Sequence, residues 1–219
     1  MTYSRRDNKF AGRYNFLGSA PGEDAPACAE LLRVSQGDRL IEFGCGNGDF
    51  LAAALGTVDS AVGVDISANR LAQAALRFKG DARVELIKSA LLDFDPGQRT
   101  FTKGLSRKTL RLLTDKEKNR FFGKIGASFS PGALFLIEDL VLDFERAELD
   151  INRPGLMKDC AAYYGASWER RKKEVTAWFK QEYPEGIKAW TAALQAGGFG
   201  IIRRIRKTPF YGSLLAERQ

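Results

Sequence analysis

The chain of 219 residues contains no histidine. This absence excludes Ser-His-Asp and Cys-His nucleophile systems, zinc sites that include His, and imidazole as a general base. Cysteine is also scarce, because Cys28, Cys45 and Cys160 are odd in number and widely spaced. Such spacing forms neither a disulfide framework nor a CxxC pair, so we expect a reducing cytosol and no metal site.

Long apolar runs are missing as well. The N-terminus lacks the apolar core of about 7–15 residues that marks a signal peptide, and no later stretch approaches about 20 apolar residues. We therefore expect a cytoplasmic protein that is not secreted and does not span a membrane. Hydrophobic residues make up 44% of the chain and charged residues 28%, which is typical of a folded chain, and the length suits one domain.

Positive charge is in excess, with 34 Lys and Arg against 27 Asp and Glu, a net charge of +7. An excess of this kind indicates an anionic partner, either nucleic acid or a small substrate with phosphate or carboxylate, although it also serves solubility. The residues from Arg99 to Lys124 hold nine of the cations and only two acids. The net charge of this stretch therefore equals the net charge of the whole chain, +7.

Short β-like runs alternate with amphipathic helical stretches from about residue 24 to 140, which indicates a parallel sheet flanked by helices. The first five predicted strands are Arg39–Phe43, Ala61–Asp65, Val84–Ile87, Phe101–Leu105 and Ala133–Glu138. The predicted helices are Pro26–Val34, Asp49–Leu55, Ala68–Phe78, Leu110–Leu113, Lys116–Phe129 and Glu185–Ala196. Thr114 followed by Glu117 predicts a capping box at the start of the fifth of these helices. Two further strands, Gly200–Ile205 and Phe210–Ala216, are predicted to close the sheet as an antiparallel hairpin.

The connection after the fifth predicted strand is unusually long. Residues 142–184 lie between that strand and the last helix, where about 2–6 residues would suffice. Two helical patterns occupy this stretch, Arg146–Tyr164 and Trp168–Tyr183. We predict a helical insertion that forms a lid, because insertions at this edge of a sheet often cover the site.

The sharpest motif is Leu-Ile-Glu-Phe-Gly-Cys-Gly-Asn-Gly-Asp-Phe at residues 40–50, a predicted strand that runs directly into a glycine-rich turn and a helix. Glycines let the backbone approach a ligand closely, so we expect the ligand at the carboxyl end of this strand. The dinucleotide fingerprint needs glycine at the sixth position from Gly44, where this chain has Asp49, and no P-loop occurs. The motif therefore argues against NAD and against a P-loop nucleotide site.

Glu42 followed by Gly44, Gly46 and Gly48 resembles the first motif of class I S-adenosylmethionine-dependent methyltransferases, and the next predicted strand ends at Asp65, as it does in that family. The resemblance covers roughly residues 24–141 and 184–217. It implies an α/β fold: a Rossmann-like, open, twisted, seven-stranded sheet with an antiparallel C-terminal hairpin strand, helices on both faces and a helical insertion after strand five. It also implies one methyltransferase domain over residues 1–219, with an N-terminal arm, 1–23, over the cofactor.

The resemblance implies S-adenosyl-L-methionine as the cofactor and S-adenosyl-L-homocysteine as the product. The glycine turn would wrap the amino-acid portion, Asp65 would bind both ribose hydroxyls, and Ile66 would pack on the adenine. Ser89 stands where many relatives have Asp near the adenine amine. The expected cofactor contacts are Glu42, Gly44, Cys45, Gly46, Gly48, Asp65, Ile66, Ser89, Ala90, Leu91, Leu105 and Tyr14.

The family places the acceptor near the end of strand four, where this chain is basic. We therefore expect a small, anionic acceptor docked near Arg107 or Lys108; the expected acceptor contacts are Ser106, Arg107, Lys108 and Asp139. No catalytic base is assigned, and Glu138, Asp139 and Tyr14 are the polar groups worth testing.

Two alternatives stay open. The basicity of the chain also suits an RNA or tRNA methyltransferase, and the unusual strand four and Ser89 also suit a non-catalytic protein that binds S-adenosylmethionine. We expect a monomer or homodimer with no membrane partner.

Overall fold

Residues 25–219 are described by the computed structural model, so the predicted arm 1–23 and Tyr14 lie outside the described residues. The strands are β1 Arg39–Phe43, β2 Ser60–Asp65, β3 Val84–Lys88, β4 Phe101–Arg107, β5 Phe129–Leu142, β6 Glu185–Gly186, β7 Phe199–Arg206 and β8 Tyr211–Arg218. The α-helices are α1 Ala25–Leu32, α2 Asp49–Ala54, α3 Ala68–Arg77, α4 Asp115–Ile125, α5 Leu149–Tyr164, α6 Trp168–Gln181 and α7 Ile187–Ala196. None of these helices is long and apolar enough to cross a membrane.

The strands form one sheet in the order β3-β2-β1-β4-β5-β8-β7. The first five are parallel, β8 is antiparallel to β5, and β7 is antiparallel to β8 at the edge. The predicted seven-stranded sheet with its antiparallel hairpin is confirmed. The strand order reverses between β1 and β4, and such a switch point places a ligand at the carboxyl ends of these strands.

Several boundaries differ from the sequence prediction, and three of the differences involve contacts between elements or a change of helix type. The two-residue strand β6 pairs with β5 through Leu142 and Gly186, so the last helix begins at Ile187 rather than Glu185. Strand β5 extends from Phe129 to Leu142 because its carboxyl half gains β6 and β8 as partners. Helix α4 ends at Ile125, where a 3₁₀ turn replaces the predicted last turn; the predicted capping box of Thr114 and Glu117 does begin it.

Both faces of the sheet are covered, which explains why the central strands are apolar rather than alternating. One face carries an aromatic cluster in which Phe43, Phe121 and Phe135 are fully buried. The other face packs Leu40 and Leu105 against α1, α2 and α3. Side chains of β1 therefore pack into the cores on both faces of the sheet. This packing holds the strand in place below its glycine turn.

The insertion packs on the sheet through a third cluster. Trp178 and Phe179 of α6 lie against Phe210, with ring centroids 6.1 and 5.6 Å apart, and Leu140 and Leu142 of β5 belong to the same cluster. The insertion thus shares its core with β5 and with the start of β8.

A buried ion pair fastens the carboxyl end of the insertion to the body of the domain. Lys118 of α4 donates hydrogen bonds to the carbonyls of Leu113 and Tyr183, at 2.7 and 2.9 Å, and its Nζ lies 3.5 Å from Glu185 Oε1. Lys118 and Glu185 are both at most 1% exposed. Nearby, Arg111 Nε lies 3.1 Å from Glu182 Oε2. These contacts join α4, the segment before it and residues 182–185 in a region closed to water.

Replacing Lys118 with Met is expected to destabilise the fold by about 3–5 kcal/mol, because it leaves the Glu185 carboxylate buried without its partner. Lys116→Met, on the exposed side of the same helix, is the matched control and should change stability by no more than about 0.5 kcal/mol. Urea unfolding of both variants measures the difference. A double variant, Lys118→Met with Glu185→Leu, should recover part of the lost stability, because no buried carboxylate remains. If Lys118→Met were as stable as the control Lys116→Met, the prediction would be wrong.

Candidate cofactor and acceptor site

The glycine turn between β1 and α2 adopts a conformation that favours glycine. Gly44, Gly46 and Gly48 have φ of 80°, 54° and 76°, in the left-handed region. A Cβ on Gly44 would overlap the side chain of Thr109, and a Cβ on Gly48 would lie 2.5 Å from the ring of Phe78. Backbone conformation and packing therefore both favour glycine in this turn. Neighbouring side chains pack directly against its backbone.

Asp65, at the carboxyl end of β2, fixes this turn. Its Oδ2 accepts a hydrogen bond from Gly46 N at 2.9 Å, and its Oδ1 accepts one from Ser67 N at 2.8 Å. An ionised carboxylate offers about four acceptor positions, so two remain for the hydroxyls of a ribose. The half-buried Asp65 thus fits the role that the sequence predicts for it.

Glu42 lies on β1 just below the turn and is 4% exposed. Its Oε2 has no hydrogen-bond partner among residues 25–219. Burial raises the pKa of Glu42 to about 8, an effect opposed by Arg107 and increased by Asp49 and Asp65. A buried acceptor without a partner, next to a glycine turn, fits the cationic ammonium of an amino-acid ligand.

The predicted adenine contacts follow the neighbouring strand. Ser89 N donates to the carbonyl of Asp65 at 3.0 Å, which brings the end of β3 beside the ribose position. The Ser89 hydroxyl donates to the carbonyl of Ala90 at 2.9 Å. Ile66, Ser89, Ala90 and Leu91 are all half-buried, so their side chains remain partly accessible.

Two predicted contacts are buried within the protein. Leu105 is 0% exposed and belongs to the core cluster beneath α1 and α2, so its side chain faces away from a ligand. Cys45 is 5% exposed, and its Sγ would touch a Cβ on Gly63. Burial raises the pKa of the Cys45 thiol, which therefore stays protonated and packs as a small apolar group.

Glu138, at the carboxyl end of β5, is the centre of a buried polar cluster. Its Oε1 accepts a hydrogen bond from Tyr211 Oη at 2.8 Å, and its Oε2 accepts from Lys207 Nζ at 2.8 Å and Cys28 Sγ at 3.1 Å. Arg107 Nε lies 3.9 Å from Oε1. We name these five residues the Glu138 cluster.

Cys28, Lys207 and Tyr211 were not predicted to belong to this site. They come from α1, the β7–β8 turn and β8, which lie 69 to 110 residues from Glu138 along the chain. No spacing in the sequence connects them. The antiparallel pairing of β8 with β5 brings Tyr211 and Lys207 to Glu138, and the packing of α1 on β5 brings Cys28.

The remaining predicted acceptor contacts separate. Ser106 is fully buried and donates to the carbonyl of Phe43 at 3.1 Å. Lys108 has φ of 54° and donates its N–H to the carbonyl of Glu138 at 2.8 Å. Asp139 is fully buried and accepts from the backbone N–H groups of Arg111 and Leu140. The structure therefore brings Lys108, but not Asp139, to the Glu138 cluster.

The expected field of the basic stretch is corrected by the structure, because five of its nine cations pair with acids elsewhere in the chain. The pairs are Arg99–Glu85, Lys103–Asp38, Arg107–Glu138, Arg111–Glu182 and Lys118–Glu185. Arg99 and Lys103 also lie toward the amino ends of the strands, away from the glycine turn. Only Arg107 and Lys108 of the stretch lie at the end of β4 beside Glu138.

Comparison with known proteins agrees with this geometry. Residues 40–132 match the family model described as a methyltransferase domain. The matched stretch begins on β1 and includes the glycine turn, Asp65 and Arg107. Residues 40–132 therefore form a methyltransferase domain, in agreement with the resemblance to class I S-adenosylmethionine-dependent methyltransferases.

Solved structures share the fold of this methyltransferase domain at low sequence identity. A methyltransferase from Mesorhizobium loti is 18% identical with a TM-score of 0.65, over 89% of this chain and 97% of that one. Phospholethanolamine N-methyltransferase 2 from Haemonchus contortus is 16% identical with a TM-score of 0.68, over 94% of this chain and 56% of that one. Magnesium protoporphyrin IX methyltransferase from Synechocystis is 13% identical with a TM-score of 0.62, over 100% and 89%. No curated protein sequence matches the chain.

The cofactor of this domain is S-adenosylmethionine. When bound, it supplies a methyl group already activated by its sulfonium, so the protein residues need chiefly to bind and align the reactants. Asp65 and the glycine turn would offer acceptors and backbone to the ribose and amino-acid ends, and Glu42 would offer a buried acceptor to the ammonium.

Replacing Asp65 with Ala is expected to weaken binding of S-adenosylhomocysteine at least about tenfold, because two charge-assisted hydrogen bonds to the ribose are lost. Isothermal titration calorimetry measures this change directly. Asp59→Ala is the control, since Asp59 accepts a hydrogen bond from Gly37 at the opposite end of β2. If Asp65→Ala bound S-adenosylhomocysteine as tightly as the wild type does, the assignment of Asp65 to the ribose would be wrong.

Proposed function

We propose that the protein methylates a small acceptor that carries a carboxylate or phosphate, and that Arg107 binds this anionic group. The observation that carries the proposal is the state of the Arg107 guanidinium. Its side chain is 13% exposed, its Nε has no hydrogen-bond partner among residues 25–219, and its ion pair with Glu138 is long, at 3.9 Å. A guanidinium with unused donors at a substrate edge suits bidentate binding of an oxyanion.

The conformation of Lys108 supports the same location. A residue other than glycine with φ of 54° stores about 1–3 kcal/mol of backbone strain, and such residues cluster at functional sites. The hydrogen bond from Lys108 N to the Glu138 carbonyl holds this conformation directly after β4. The strained backbone at Lys108 therefore determines the direction in which the chain leaves the carboxyl end of β4, where the acceptor is proposed to bind.

The Glu138 cluster supports Arg107 and does not act as a base in this proposal. Both carboxylate oxygens of Glu138 already accept hydrogen bonds from Tyr211, Lys207 and Cys28. The hydrogen bonds from these three residues hold the Glu138 carboxylate in place. Its negative charge then attracts the Arg107 guanidinium, whose Nε lies 3.9 Å away. Arg107 then orients the acceptor so that its nucleophilic atom approaches the methyl group in line.

We also propose that the insertion, residues 142–184, covers the acceptor. Tyr211 both donates to Glu138 and packs in the core of the insertion with Trp178 and Phe179. The acceptor edge and the insertion thus share the side chain of Tyr211.

One relative supports an anionic acceptor by its chemistry. The Haemonchus contortus enzyme was solved in complex with phosphomonomethylethanolamine, a phosphate-bearing molecule, together with S-adenosylhomocysteine. An anionic group on a small acceptor is therefore compatible with this fold.

Replacing Arg107 with Gln should raise KM at least about tenfold for acceptors with a carboxylate or phosphate, because one charge-assisted contact is lost. Release of S-adenosylhomocysteine is measured across small acids and their neutral amide or ester analogues. The wild type should prefer the acids, and Arg107→Gln should lose that preference. Arg120→Gln, on the exposed face of α4, is the control.

Two outcomes would contradict the acceptor proposal. Methylation of RNA with an affinity that falls steeply as ionic strength rises would favour a nucleic-acid substrate. Tight cofactor binding without turnover of any acceptor would favour a non-catalytic binding protein. Unchanged acid preference in Arg107→Gln would reject the role of Arg107 in either case.

A further inference from the structure

We propose that Glu42 is a neutral carboxylic acid before the cofactor binds, and that the ammonium group of the arriving cofactor drives its proton into the solvent. The inference rests on the cofactor assignment but not on the acceptor proposal. It gives cofactor binding a built-in dependence on pH.

Three carboxylates surround the glycine turn, and among them only Glu42 has a buried oxygen without a hydrogen-bond partner within residues 25–219. Asp65 accepts two backbone hydrogen bonds, and Asp49 pairs with Arg77 at 2.6 Å on the surface. Glu42 lies on β1 beside β2, nearly inaccessible to water, and its Oε2 has no hydrogen-bond partner among residues 25–219. A buried charge in such a place is costly unless a cation or a proton compensates it.

The charged groups that face Glu42 do not supply this compensation. Arg107 on β4 is the cation that lowers its pKa, but Arg107 also pairs with Glu138. Asp49 on α2 and Asp65 on β2 raise its pKa further, and the neighbouring Cys45 thiol is neutral. Burial remains the largest effect, and the pKa of Glu42 reaches about 8. Near pH 7, a proton therefore compensates Glu42.

A ligand ammonium at Oε2 replaces that proton. The O–H bond of the carboxylic acid breaks, the proton passes to water or buffer, and the carboxylate pairs with the ammonium; no electrons are transferred. Because the ligand favours the ionised form, affinity falls as pH decreases below about 8, approaching tenfold per pH unit. Above that pH the effect of Glu42 levels off.

Calorimetric titration of the full chain with S-adenosylhomocysteine, at pH 7 in two buffers of different ionisation enthalpy, counts the released protons. We expect about 0.9 proton per ligand bound. S-adenosylhomocysteine carries the ammonium but no sulfonium, so its release is assigned to the amino-acid end. 5′-Methylthioadenosine lacks the amino-acid end and should bind without releasing a proton.

Variants separate this effect from other titrating groups. Glu42→Gln should bind S-adenosylhomocysteine without proton release and with an affinity that is flat between about pH 6 and pH 7.5. Asp59→Asn, at the far end of β2, should release the same number of protons as the wild type.

The free energy of unfolding provides a second measurement that needs no ligand. An acid whose pKa is raised by folding stabilises the fold most when protonated, so this contribution is lost as pH rises from about 4.5 to about 8. The wild type should lose stability relative to Glu42→Gln across that range.

Binding of S-adenosylhomocysteine to the wild type without proton release would overturn the inference and leave the cofactor assignment intact. Failure of the wild type to bind S-adenosylhomocysteine at all would overturn both. Neither result bears on Arg107, whose role is measured by the preference for acidic acceptors.

Discussion

The structure depends on one close approach, the packing of neighbouring side chains directly against the backbone of the glycine turn. Thr109, from the segment after β4, lies against Gly44, and Phe78, from the end of α3, lies against Gly48. Asp65 holds the middle of the turn through the N–H of Gly46. Three chain segments are thereby held in fixed positions by their contacts with the five backbone residues 44–48. The site is rigid because the core on both faces of β1 leaves this strand no freedom to shift.

Charge is arranged differently from what a linear count suggests. The basic stretch around β4 is mostly neutralised by acids from other segments, as with Lys103 and Asp38 or Lys118 and Glu185. What remains at the carboxyl edge is a small polar site in which a carboxylate, Glu138, supports a guanidinium. The positive net charge therefore belongs largely to the surface, where it contributes to solubility, and the chemistry of the site depends on a few buried groups.

The parts of the fold that depend on local chemistry could be predicted from the sequence. Strand β1 was predicted with its observed bounds, and the capping box at Thr114 was predicted from its spacing, because apolar runs and caps are encoded within a few residues. Strand β6 and the contact of Tyr211 with Glu138 were missed. Both depend on pairing between distant segments, and a two-residue strand carries no periodicity that could indicate it. The site was predicted where motifs determine it and missed where folding assembles it.

The pairing of Leu142 with Gly186 has a consequence for how this domain can diversify. It places the departure and the return of the insertion side by side on the sheet, so residues 143–185 form a closed excursion whose ends need not move when its interior changes. A different helical cap could be grafted between these two points, and the strands that hold the glycine turn would keep their neighbours. New acceptors could thus be acquired by exchanging one module, while the apparatus for methyl donation is inherited unchanged.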